Sequence, residues 1–329
     1  MPTSLTNLSI SGDVPLDSRT ANEVARLPGL KSLLLSSFEN DDTLLSFVSQ
    51  LTLLEEFVVW PLRGDQFTEH MTGAFFSNLT SSKLVTMTLS VTSHMRLDHL
   101  SLLTGLVDLF CYEELAGDEV VDYSFVSHLT RLTSFMIYVA DTRPSLSAIT
   151  NLENLKQLTI DEANVMSYEL PNISLSLLTG LERLSLAHCS PSTVESFSAL
   201  KNLTLLRAPV TYKTVNYEFL KDLPYLEYLW CLSSTYGCES FYRVLPQLTR
   251  LNSLQLCGLE KEDQITCLTA LQHLTVLCVK GSDNFQGQHL TLLTSVQRLT
   301  VLSQNANTYL NYEALAEKMP NLTYFSPHY

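Results

Sequence analysis

The sequence predicts an α/β solenoid, with one parallel strand per coil on one side and short helices or turns on the other. Three observations predict it. Leucine fills 64 of the 329 positions, and Ser plus Thr fill 68. An apolar residue recurs at relative positions 0, +3, +6 and +8, as in Leu178, Leu181, Leu184 and Leu186. The +6 residue returns fourteen times, from Leu8 to Phe325, with a mean step of about 24 residues, a period proper to stacked repeats.

Positions +6 and +8 lie two residues apart, so on a strand both side chains point to one face. Positions 0 and +3 enter from the preceding turn and fill the same interior. Leu51, Leu54, Phe57 and Val59 fit the template, and so do Leu129, Leu132, Phe135 and Ile137. Later copies include Leu248, Leu251, Leu254 and Leu256. A single coil cannot bury so much leucine, whereas stacked coils share a continuous core. No shift in composition interrupts the series, so the chain reads as a single domain, 1–329, of about fourteen repeats.

The connecting segments read as partly helical. Asp41, Asp42 and Thr43 precede Leu44, Leu45, Phe47 and Val48 as a capped amphipathic turn. The segments from Asn216 to Lys221 and from Asn311 to Lys318 are similar, and 64–78, in the longest repeat, has room for a longer helix.

Segments such as Leu181-x-x-Leu184-x-Leu186 and Leu251-x-x-Leu254-x-Leu256 resemble the leucine-rich repeat superfamily across essentially the whole chain. The resemblance implies a curved horseshoe with its parallel sheet on the concave side, acting as an interaction scaffold, adaptor or receptor. One part of the family pattern is missing. An asparagine usually follows the second strand leucine by three residues, but here those positions hold Asp13, Phe38, Leu62, Thr92 and Glu114, among others. The turns must satisfy their buried amides by other means.

If +6 and +8 point inward, +5, +7 and +9 face solvent. They place Trp60 on one strand, Phe110 and Tyr112 on the next but one, Met136 and Tyr138 beside those, and Tyr228 and Trp230 further on. Both tryptophans of the chain fall on this face. Large aromatics dominate the energetics of protein interfaces, so these seven residues are the candidate partner-binding site. The competing reading is that the rings only cover the sheet by packing on one another. Charge on this face is uneven: Glu56, Asp108 and Asp161 come first, Arg183, Arg207, Lys280 and Arg298 later. The segment from Glu113 to Asp122 reads as a further acidic, solvated loop.

Other functions find little support. A formal charge of −14 argues against binding a phosphate backbone, so no nucleic acid is expected. No apolar run is long enough to span a bilayer, and no signal peptide is visible at the N-terminus. Phosphate-binding glycine loops, a nucleophile elbow and a His-Glu-x-x-His zinc motif are all missing, so neither enzyme activity nor a cofactor or metal is expected. His188 and Cys189 are adjacent with diverging side chains, and the acid pairs Asp41–Asp42 and Asp161–Glu162 read as caps or solvated charge.

Seven cysteines without Cys-x-x-Cys spacing read as reduced core residues of a cytoplasmic protein. The expected role is a non-catalytic protein-binding module. Two alternatives are a secreted or surface ectodomain, glycosylated at sequons beginning at Asn7, Asn78, Asn172, Asn202 and Asn321, and the substrate-recognition subunit of a larger assembly. No polar cap marks either end, which leads to an expectation of end-to-end self-association.

Overall fold

A computed structural model describes residues 4–11, 16–36, 42–60, 72–81, 83–91, 95–113, 121–139, 144–162, 173–187, 189–208, 216–234, 239–259, 262–281, 288–302, 315 and 317–328. Two compact units emerge, Met1–Pro171 and Asn172–Tyr329. The first carries strands β1 (Asn7–Ile10), β2 (Ser32–Ser36), β3 (Glu56–Trp60), β4 (Thr86–Val91), β5 (Asp108–Glu113), β6 (Ser134–Val139) and β7 (Gln157–Glu162). The second carries β8 (Arg183–Leu186), β9 (Leu205–Arg207), β10 (Tyr228–Ser234), β11 (Ser253–Leu259), β12 (Val276–Gly281), β13 (Arg298–Leu302) and β14 (Tyr324–His328). Within each unit every strand pairs in parallel with the next, and the +6 residues lie opposite one another, as in Leu33↔Phe57, Leu109↔Phe135 and Leu254↔Leu277.

The interior follows the template. Leu178, Leu181, Leu184 and Leu186 are at most 1% exposed. The three-residue spacing upstream of each strand has a direct cause. Two consecutive i→i+3 turns lead into the strand, as in Leu178 N–H to Leu175 O (2.9 Å) and Leu181 N–H to Leu178 O (3.0 Å). With three residues per turn, positions −3, 0 and +3 eclipse one another and all enter the core. An α-helix would rotate them apart at 3.6 residues per turn. Accordingly Ser46–Gln50, Leu97–Leu102, Ser124–His128 and Tyr217–Asp222 are 3₁₀ turns.

Short α-helical pieces occur at Ser18–Ala25 and Pro191–Glu195, capped by Asp17 accepting from Thr20 N–H (2.7 Å) and Ser190 accepting from Thr193 N–H (3.2 Å). Of the helix expected over 64–78, the part that can be checked is helical but of the 3₁₀ type, at Ala74–Ser81, and 64–71 lies outside the described residues. Asp42 holds the adjacent coil, accepting from Thr72 N–H (2.8 Å), Gly73 N–H (3.1 Å) and the Thr72 hydroxyl.

Successive coils are bonded to one another ahead of each strand, whereas Asp13, Phe38, Leu62, Thr92 and Glu114, where the family's asparagine would stand, lie outside the described residues. The +4 carbonyl of one coil accepts two amides from the next: Lys31 O from Glu55 and Glu56 (2.7 and 2.9 Å), and Glu182 O from Thr204 and Leu205 (2.8 and 3.2 Å). Side chains reinforce the joint. Asparagines at +2 donate to the +1 threonine carbonyl of the preceding coil: Asn154 to Thr130 (2.9 Å), Asn202 to Thr179 (2.9 Å) and Asn321 to Thr294 (2.8 Å). Threonines at +4 donate to the +4 carbonyl behind them, Thr204 to Glu182 and Thr323 to Gln297, each at 3.0 Å. The Asn-Leu-Thr triplets at 202–204 and 321–323, which read as sequons, therefore form a coil-bridging device.

Leu177, directly before Leu178, is 68% exposed, whereas Leu184 is fully buried. Leu184→Ala is expected to lower unfolding free energy in urea by about 2–5 kcal/mol, the range for a buried leucine. Leu177→Ala is expected to change it by less than about 0.5 kcal/mol. Equal effects of the two would contradict the assigned phase.

Candidate functional site

In the first unit the outward residues of β2–β7 fall into three rows set by strand register. The +5 row is polar and acidic, with Ser32, Glu56, Thr86, Asp108, Ser134 and Gln157. In it Glu56 accepts from the Ser32 hydroxyl (2.7 Å) and Asp108 from Thr86 (3.4 Å). The +7 row is mostly apolar and includes Val58, Phe110 and Met136, with Phe110 directly opposite Met136. The +9 row carries Trp60, Ser90, Tyr112, Tyr138 and Asp161.

The aromatic members of the +9 row form a ladder. Tyr112 and Tyr138 stack with centroids 4.8 Å apart and planes 9° apart, the separation of adjacent strands. Trp60 and Tyr112 stand two strands apart, roughly 9.6 Å by strand spacing, yet their centroids are 5.7 Å apart at 22°. The rings lean together across β4, where a small residue, Ser90, occupies the intervening position. Ser90 is fully buried although its parity puts it on the open face. Among the described residues its hydroxyl is the buried side-chain polar atom with no hydrogen-bond partner.

Five of the seven residues expected at the site, Trp60, Phe110, Tyr112, Met136 and Tyr138, thus share one face of the first unit, each half-buried. The rings do pack on one another, as the competing reading holds, while leaving part of each accessible. Tyr228 and Trp230 lie on the open face of the second unit, 39% and 36% exposed. There Arg207 sits over the Trp230 ring (Cζ to centroid 5.8 Å) and Arg298 over Tyr324 (5.3 Å).

One acidic residue behaves otherwise than the sequence led us to expect. Glu113 is no part of a solvated loop: it is fully buried and accepts from the Tyr123 hydroxyl at 2.7 Å. Position +10 has the parity of +6 and +8, so continuing the strand by one residue turns its carboxyl inward. Burial pushes its pKa up to about 7, against the opposing effect of the Tyr123 hydrogen bond, and raises the neighbouring Cys111 thiol and Tyr123 hydroxyl as well. Loss of solvent likewise pushes Cys189 up to about 12, far from a reactive thiolate. His188 lies outside the described residues. Among the described residues no group of three or more His, Cys, Asp or Glu side chains is arranged to hold a metal, and no helix is long and apolar enough to cross a membrane.

These coils match solved structures. An internalin, InlF, from Listeria monocytogenes superposes with a TM-score of 0.57 at 20% identity, over 86% of this chain and 76% of that one. The chain has the leucine-rich repeat fold. TLR13, solved in complex with ssRNA13, matches with a TM-score of 0.52 at 16% identity, covering 99% of this leucine-rich repeat chain and 54% of its own. This chain therefore spans about half the length of that structure. No protein-family model and no curated protein matches the sequence.

Two measurements test the buried polar groups. Glu113 titrates upward on folding, so the stability of its protonated form is complete below the ordinary value of 4.5 and is lost as pH rises through about 7. Unfolding free energy measured across that window is expected to fall with pH, and Glu113→Gln to remove that part of the slope; an unchanged slope in the variant would contradict the assignment. Ser90→Ala, which deletes an unpaired buried hydroxyl, is expected to raise unfolding free energy by about 1 kcal/mol. A loss of stability would show the hydroxyl to be partnered in solution.

Proposed function

We propose that the chain is a non-catalytic binding module that docks another protein on the open face of its first unit. The supporting observation is the Trp60–Tyr112–Tyr138 ladder beside Phe110 and Met136. These are large, part-exposed apolar groups held rigid by stacking, which lowers the entropy lost when a partner immobilises them. The acidic +5 row would form the polar rim. A phosphate backbone is the weaker match. TLR13 with the same fold is solved with ssRNA, but here Glu56, Asp108 and Asp161 share the face and the chain carries −14 overall.

We also place the chain in a reducing compartment. Cys111, Cys189 and Cys231 are buried and unbridged, and Cys267 and Cys278 are half-buried and unbridged. The glycosylated-ectodomain alternative is disfavoured because Asn202 and Asn321 already commit their amides to neighbouring carbonyls.

Immobilised chain is compared with a Trp60→Ala/Tyr112→Ala/Tyr138→Ala variant as bait for proteins of the source cell. The expected result is a set of proteins retained by the intact chain and lost by the variant, with the variant still melting cooperatively. Identical retained sets would contradict the docking face. Seven titratable thiols in unfolded protein taken from those cells would agree with the compartment, and fewer would contradict it.

A further inference from the structure

We infer that the gap in the aromatic ladder at Ser90 is a subsite for an arginine side chain of the docked partner, whose guanidinium enters as the missing rung between Trp60 and Tyr112. The inference rests on the docking face proposed above and adds the chemistry of its occupant.

The ladder lacks a ring on one strand. Val59 pairs with Leu89 and Ser90 with Tyr112, so Trp60, Ser90 and Tyr112 occupy one row. Tyr112 and Tyr138 keep the strand spacing, with centroids 4.8 Å apart. The lean that brings Trp60 to 5.7 Å from Tyr112 therefore belongs to Trp60. Upright rings on strands two apart would stand roughly 9.6 Å from each other. A planar group stacked at about 3.5 Å from each ring needs roughly 7 Å. That value lies between the other two, so one flat rung fits over β4 once Trp60 swings back part of the way, while the Tyr112–Tyr138 pair stays in place.

The floor of the gap carries an independent mark. The Ser90 hydroxyl is fully buried and, among the described residues, has no hydrogen-bond partner. An unpaired buried hydroxyl is unfavourable, and a donor entering between the rings would satisfy it.

Charge selects which planar donor fits. The outward positions of β2–β7 hold Glu56, Asp108 and Asp161 and no Lys, Arg or His. Asp161 lies in the ladder's own row, opposite Tyr138. Two lysines flank the face, Lys31 and Lys156, one residue before β2 and β7, and Lys31 is bonded to Glu55 at 2.8 Å. A guanidinium is flat, permanently charged and able to stack on aromatic faces, and its hydrogen-bonding groups are all donors. It therefore suits the rings, the acids and the Ser90 oxygen together. A lysine ammonium is not flat, and a nucleobase would bring its phosphate toward the acids.

The isotope-labelled full-length chain is titrated with the N-acetylated, C-amidated octapeptide (Arg-Gly)4 while its two tryptophan indole N–H signals are followed by NMR, with Trp60→Leu to assign them. Parallel titrations use (Lys-Gly)4, the flat but uncharged (citrulline-Gly)4 and an eight-nucleotide uridine RNA. The expected result is that the arginine peptide moves the Trp60 signal and binds about tenfold more tightly than each of the other three. Ser90→Ala is expected to weaken the arginine peptide about tenfold and to leave the lysine peptide unchanged. If Ser90→Ala melts below the parent chain, Trp60→Leu must show the same loss of arginine preference. No binding of the arginine peptide at low salt, a Trp60 signal that stays in place, equal binding of the lysine or citrulline peptide, an arginine preference kept by a natively folded variant, or tighter binding of the RNA would each overturn the inference. The docking face survives any of these outcomes if the bait experiment still separates the intact chain from the ladder variant, and falls only with that experiment.

Discussion

The phase of the leucines governs this molecule. Two i→i+3 turns bring positions −3, 0 and +3 into line, and a strand then alternates +6 and +8 with them toward one interior. The two periodicities, three and two, have to meet at a fixed joint. That joint is the +4 residue, whose carbonyl receives two amides from the following coil. Were the joint displaced by one residue, the aliphatic set and the outward set would exchange faces along the strand. Repetition makes the arrangement cooperative, because each coil's interior is closed only by its neighbours. Leu8 and Ile10 on β1 are half-buried, while Leu33 and Leu35, at the same positions on β2, are at most 1% exposed.

Once the phase is fixed, the open face of each unit is fixed with it, and the two faces differ in chemistry. In the first unit rings stack on rings across adjacent strands, with acids in a row alongside. In the second, guanidinium groups stack on the rings of Trp230 and Tyr324. Stacking keeps these side chains in place without burying them fully, which distinguishes them from isolated exposed residues such as Leu102 or Leu292.

Much of this was legible in the sequence because it depends on parity alone. Leu184 and Leu254 are buried, and Trp60, Tyr112 and Tyr138 fall on one outward row, as simple counting places them. What parity alone did not reveal depends on partners far along the chain. Glu113 was read with the acids that follow it, yet it continues the strand by one inward residue and meets Tyr123. In the sequence Asn202 and Asn321 stand out only as sequons of the ectodomain alternative, whereas their amides bridge to the preceding coil ahead of the strand. The burial of Ser90, on the row where Trp60 and Tyr112 stack two strands apart, likewise depends on neighbours outside its own strand. The arginine–ring pairs needed strand register, which the repeat anchor supplies but which composition conceals.

The most direct test of the phase is hydroxyl-radical footprinting of the native full-length chain, read residue by residue by mass spectrometry. On β6, Met136 and Tyr138 should be oxidised while Phe135 and Ile137 stay protected; on β10, Tyr228 and Trp230 should react while Leu229 does not. Oxidation of Phe135, Ile137 and Leu229 at rates matching their outward neighbours, after correction for intrinsic reactivity, would contradict the account.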